Sequence, residues 1–237
     1  MTFHTTRWTL VRNATGHSAV GRQALSDLCA AYYGPVVAFI GHEAFSDEAA
    51  RDLAHEFFQQ LLEKPSLQGA DPALGSFRNY LRGALKHFLA HERERSLRQK
   101  RGGGAVSISL DAGTDTTPGI ALAERHELSP DEFFDRQWAL AVIDRASAAL
   151  AREHAVAGKA EAFARLQPWL TGDAAHGDHG PAARSLGISE GALRIAVHRL
   201  RRRFRQVLKA EIAQTLDNPI AVAEEMQHLF AALAGPR

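Results

Sequence analysis

Between Gly191 and Ala210 stand seven arginines and lysines and no acidic residue. Cations at that density hold phosphates, and the residues around them say how a phosphate backbone would be met. Gly187 offers the left-handed residue that ends a short apolar helix, and Gly187-Ile188-Ser189 turns into another. Ser189 caps that second helix, with Glu190 near its positive end. Leu193, Val197, Leu200 and Phe204 recur at helical spacing and predict one buried stripe. Gly191, Arg194, His198, Arg201 and Arg205 fall on a neighbouring face, and Arg199, Arg202 and Arg203 thicken the charge. This is the grammar of a helix-turn-helix, whose second helix reads base edges with its first turns and holds phosphates further along. A plain amphipathic surface helix is the duller reading; the Gly-Ile-Ser turn and the missing acids count against it.

A second basic run extends from Arg78 to Arg101, where Glu92 and Glu94 are the only acids. Phe77, Tyr80, His87, Phe88 and His91 are interleaved with its cations, and aromatic faces beside a positive groove suit unstacked bases. Tyr80, Leu81 and Leu89 are expected to pack a core instead, while Lys86, His87, His91 and the arginines after them face DNA. Enzyme chemistry has little to stand on. His55-Glu56 lacks the second histidine of a zinc-protease helix, because position 59 is Gln59. His87 and His91 lack a third ligand, and His176 to His179 is a polar loop. No phosphate-cradling glycine loop or serine-nucleophile motif is present, so no catalytic residue, metal or cofactor is expected.

Helical periodicity dominates the elements that carry these residues, and the fold class expected is all-α. One helix is predicted from about Ser18 to Tyr33 and another from Tyr33 to His42, with Gly34-Pro35 breaking or bending the junction. Ser46 caps a third, acidic in its first turn, on which Leu53, Phe57 and Leu61 form one stripe and Ala54, Phe58 and Leu62 the next. That apolar face is wider than a small domain usually needs. A long helix follows from about Ser76 into the basic run and ends at Gly102-Gly103-Gly104. Ser129-Pro130-Asp131-Glu132 is a full capping box for a helix that stops near Gly158. Another helix spans about 159–170, and Asn218-Pro219 opens a last amphipathic one to Leu233.

At 237 residues the chain has room for one to two domains, and 45% hydrophobic with 23% charged residues is ordinary for soluble protein. The net charge of +1 favours no partner, so the clustering of charge is the telling feature. Cys29 is the lone cysteine, which excludes an internal disulfide and suits a reducing cytoplasm. No signal peptide or bilayer-length apolar stretch is recognised, and a cytoplasmic protein without membrane insertion is expected. The domains expected are a helical domain at 1–101, a flexible linker at 102–129, a helix-turn-helix domain at 130–212 and a C-terminal helical extension at 213–237. A linker of that length reaches about 30 Å on average and about 90 Å when taut. Two separate boxes on one duplex lie within that reach.

Three segments in order resemble the extracytoplasmic-function sigma factors, the dissociable promoter-recognition subunits of bacterial RNA polymerase. Arg51–Leu62 is similar to the helix that docks on the polymerase clamp, Phe77–Arg95 to the helix that melts and reads the minus-ten box, and Leu186–Leu200 to the minus-thirty-five reader. The resemblance implies sigma domains two and four joined by the linker, with core polymerase and promoter DNA as partners and an anti-sigma factor as a further partner class. Docking would rest on Asp52, Leu53, Glu56, Phe57, Phe58, Leu61 and Leu62. Melting would rest on Lys86, His87, His91, Arg93, Arg95 and Arg98. Ser189, Glu190, Arg194, His198, Arg199 and Arg201 would read the minus-thirty-five box, with Arg202 on phosphate. The family usually has an aromatic and an acid where this chain has His179 and Pro181, and the helix after 218 extends past the family's usual end. The alternatives are an autonomous dimeric helix-turn-helix regulator, using that last helix to dimerise, and a sigma-like protein that sequesters polymerase.

Overall fold

The computed structural model describes residues 19–43, 46–63, 76–102, 128–171, 179–216 and 221–235. Within them the chain is helical, and the sole β-type pairing is an isolated antiparallel bridge between Ser76 and Leu216. The helices are α1 (Ala19–His42), α2 (Asp47–Glu63), α3 (Phe77–Gly102), α4 (Pro130–Val156), α5 (Ala160–Leu166), α6 (Pro168–Thr171), α7 (His179–Ser185), α8 (Glu190–Ala213) and α9 (Val222–Ala234).

They form two compact units: Met1–Ala139 with Thr215–Arg237, and Leu140–Gln214. The division falls inside α4, whose first ten residues (130–139) belong to the first unit, and not at 101 and 129. The expected C-terminal extension, 213–237, belongs from Thr215 onward to the first unit. Most of the expected linker, 103–127, lies outside the described residues.

In the first unit Leu28, Tyr32, Val36, Phe39, Phe77, Leu85, Phe134 and Trp138 form the core. Edge-to-face contacts tie α1 to its neighbours, Tyr32 to Phe77 at 5.1 Å and Phe39 to Phe134 at 5.7 Å. Of the break or bend expected at Gly34-Pro35 the break does not occur: the two helices expected there are one, and α1 is continuous through Pro35. An interior proline costs about 3 kcal/mol, and burial of Tyr32, Val36, Phe39 and Ile40 on both sides of it offsets that. α1 is also apolar and long enough to meet the simple measure of a membrane span, contrary to the expectation that no stretch does. Half of that stretch is buried, with Leu25, Leu28, Tyr32, Val36, Phe39 and Ile40 packed in this core.

The second unit buries Val142, Ala146, Leu150, Phe163, Leu166, Leu193, Val197, Leu200 and Ile212. The single helix expected over 159–170 is two, because the chain turns at Gln167 and restarts at Pro168, where proline fits a first turn.

Candidate nucleic-acid interface

The helix-turn-helix geometry is built from local signals. Gly187 adopts φ +65°, and the amides of Ile188 and Gly187 donate to the carbonyls of Ala183 (3.0 Å) and Arg184 (3.1 Å). Those two bonds make a Schellman cap that ends α7. Ser189 is extended, and its hydroxyl accepts from the Ala192 amide at 3.2 Å, which caps α8 as it starts at Glu190. Ser189 therefore acts as a cap, and its side chain is engaged before any base could meet it. Leu193, Val197 and Leu200 anchor α8 in the core, and Phe204 is half-buried.

With that stripe turned inward, Gly191, Arg194, Ile195, His198, Arg199, Arg202 and Arg205 are exposed. Glu190 lies 3.7 Å from Arg194, a loose pair one turn apart. Arg201 is different. Its Nε donates to the Trp169 carbonyl at 2.9 Å, which fastens α8 to α6 and restricts it as a base reader. Arg203 forms a two-pronged pair with Glu153 at 2.7 and 3.0 Å, whose hydrogen bond holds the Glu153 carboxyl below its ordinary range. The cations of α8 thus divide into ties within the unit (Arg201, Arg203) and an outward set (Arg194, Arg199, Arg202, Arg205).

α3 presents its charges otherwise. Lys86 meets Asp131 of α4 at 2.5 Å, Arg93 pairs with Glu43, Arg95 reaches Glu92 (3.0 Å) and Glu56 (3.4 Å), and Arg98 reaches Glu94 (3.1 Å). His87 and His91 are exposed, with ring centroids 4.5 Å apart. All six expected melting residues are thus exposed, and the four cations among them are already paired. Exposed pairs are worth about 0.2–1 kcal/mol, so trading them for phosphates costs little.

At the start of α3, Arg78 is only 4% exposed. It donates to both carboxylate oxygens of Glu225 on α9 (2.8 and 3.1 Å) and to Asp135 on α4 (2.6 Å), and lies 4.7 Å from the Trp138 ring centroid. Arg82 shares Asp135 at 3.1 Å. Arg78, Arg82 and Lys86 are spaced by four, as are Asp131 and Asp135, and that matched spacing was the signal available in the sequence.

The expected docking residues are split by burial. Phe57, Phe58 and Leu61 are 3%, 7% and 5% exposed, and Phe57 packs on Phe58 and Phe88. The wide apolar face of α2 is thus largely core, because α1 and α3 cover it. Asp52 and Leu62 remain exposed, Leu53 and Glu56 partly so. Beside Leu62 a shallow groove of about 530 Å³ runs between α1 and α2, lined by Cys29, Ala30, Tyr33, His55 and Phe58. Tyr33 hydroxyl and His55 Nε2 are 3.0 Å apart at its edge. Burial pushes the Cys29 thiol up to about 12, far from thiolate chemistry. Among the described residues no three histidine, cysteine or acidic side chains are grouped to hold a metal. No protein-family model, curated protein or solved structure matches the chain.

Proposed function

We propose that this protein is a sigma factor of the extracytoplasmic-function kind, a subunit that binds core RNA polymerase and directs it to promoters. The observation that carries the reading is the α7–α8 pair: a glycine-capped turn, a serine-capped second helix, and an outward face of arginines with no acid between Glu190 and Glu211. The exposed cations and histidines of α3 supply a second nucleic-acid surface in the other unit. The rival reading, a regulator that dimerises through its last helix, loses support. Met226 and Leu229 of α9 are buried and Glu225 is held by Arg78, so that helix already has its partner within the first unit.

Docking on polymerase then falls to the exposed and part-exposed residues of α2, Asp52, Leu53, Glu56 and Leu62, together with the groove beside Leu62. Leu62 is 45% exposed, so Leu62→Asp should leave the fold intact while weakening co-elution with core polymerase at least about tenfold, the effect of placing one charge in an apolar contact. Phe57→Asp, by contrast, should unfold the first unit. Unchanged co-elution of Leu62→Asp would move the docking face elsewhere, and a wild-type chain that never binds core polymerase would remove the sigma-factor reading.

A further inference from the structure

We propose that Ile195 reads a thymine, packing its side chain on the C5 methyl group in the major groove that α8 faces. The inference rests on the reading of α8 as a DNA-recognition helix and adds a specificity residue to it. Ile195 is 55% exposed, although the apolar stripe that holds α8 in place is complete without it. A β-branched side chain mid-helix gains nothing in propensity, so an exposed isoleucine there has no local reason.

Its surroundings describe what would cover it. Gly191 lies four residues before it, Arg199 four after it, and Arg194 and His198 flank it on the same exposed face. Gly191 is not demanded by its backbone, whose φ is ordinary for a helix. A Cβ there would meet nothing nearer than Ser189 Oγ at 4.0 Å. Neither the turn nor the neighbouring side chains require glycine at this second position of α8. What it leaves is bare backbone one turn before Ile195, where another molecule can approach closely. An apolar contact hemmed by cations fits a polyanion that carries a projecting apolar group. In the DNA major groove that group is the thymine methyl.

The test compares thymine with deoxyuridine, which lacks only the methyl. Duplexes are selected from a randomised pool by the full chain, alone and with core polymerase, and each dT of the selected box is replaced by dU in turn. One replacement should weaken wild-type binding about fourfold, the worth of one buried methyl. Ile195→Ala should bind the unmodified duplex that much more weakly and be indifferent to the same replacement, with an unchanged melting curve. Wild-type binding indifferent to every replacement would overturn the proposal, as would a dU penalty that persists in Ile195→Ala. A variant that loses polymerase affinity but keeps its DNA preference would place Ile195 in a protein interface and also overturn it. If neither form of the wild type enriches any sequence, the DNA reading of α8 itself fails, an outcome distinct from the others.

Discussion

Arg78 belongs by sequence to a basic run and by structure to a core. Its guanidinium meets the Glu225 and Asp135 carboxylates with the Trp138 face beside it, so an ion that burial would penalise is compensated on several sides. Burial alone would raise the Glu225 carboxyl, but the hydrogen bond and charge of Arg78 outweigh it and hold that carboxyl below its ordinary range. A carboxyl depressed in the folded state adds stability that is complete above its unfolded value, about 4.3, and is lost as pH falls through the folded one. Glu225→Ala should therefore cost about 3 kcal/mol near neutral pH, since one counter-charge is gone while Asp135 remains. Urea unfolding should show the gap to wild type steady down to about pH 5 and narrowing below about pH 4. No gap at neutral pH, or one undiminished in acid, would contradict this account. Nothing in local sequence announces the pair, because its members are 147 positions apart.

Element by element, the caps were the most legible part. Ser46, Ser129 with Glu132, Gly158, Gly187 and Ser189 each sit at a helix end as their side chains or lack of one dictate, and the Ser129–Glu132 box closes with bonds of 2.9 and 3.3 Å. Caps are local chemistry, settled within four residues. Tertiary packing decided the rest. It carried α1 through Pro35, turned the broad face of α2 inward, and drew Arg201 and Arg203 into ties within their unit. The face of α8 makes two unlike predictions. Arg194, exposed in the second turn, should upon Arg194→Ala relax sequence preference and cost about 1–3 kcal/mol if it meets a guanine. Arg202, two turns further on, should upon Arg202→Ala weaken binding to all sequences alike and flatten the salt dependence by about one. Titrations on matched and scrambled duplexes at several salt concentrations separate the two, and a sequence-selective loss in Arg202→Ala would refute its assignment to phosphate.

At the scale of the whole molecule, the chain holds two compact helical units, each presenting its own exposed basic helix. Sequence periodicity yielded the all-helical class and both basic helices, yet it left open whether the extension after 213 packs on the rest of the chain. α9 is part of the first unit through Met226, Leu229 and Glu225; its amphipathic spacing marked a face to bury, but the partners of that face are far away in sequence and leave no local trace. On the proposed reading, two unlike basic helices in separate units predict two unlike boxes on one duplex, where a symmetric dimer would require two-fold-related half-sites. The decisive measurement is transcription in a purified system, with core polymerase and this protein on a library of genomic fragments and every transcript start mapped. The account predicts discrete starts, dependent on the protein, that share two different boxes at fixed distances upstream. An absence of protein-dependent starts, with binding to palindromic sites in the absence of polymerase, would contradict it.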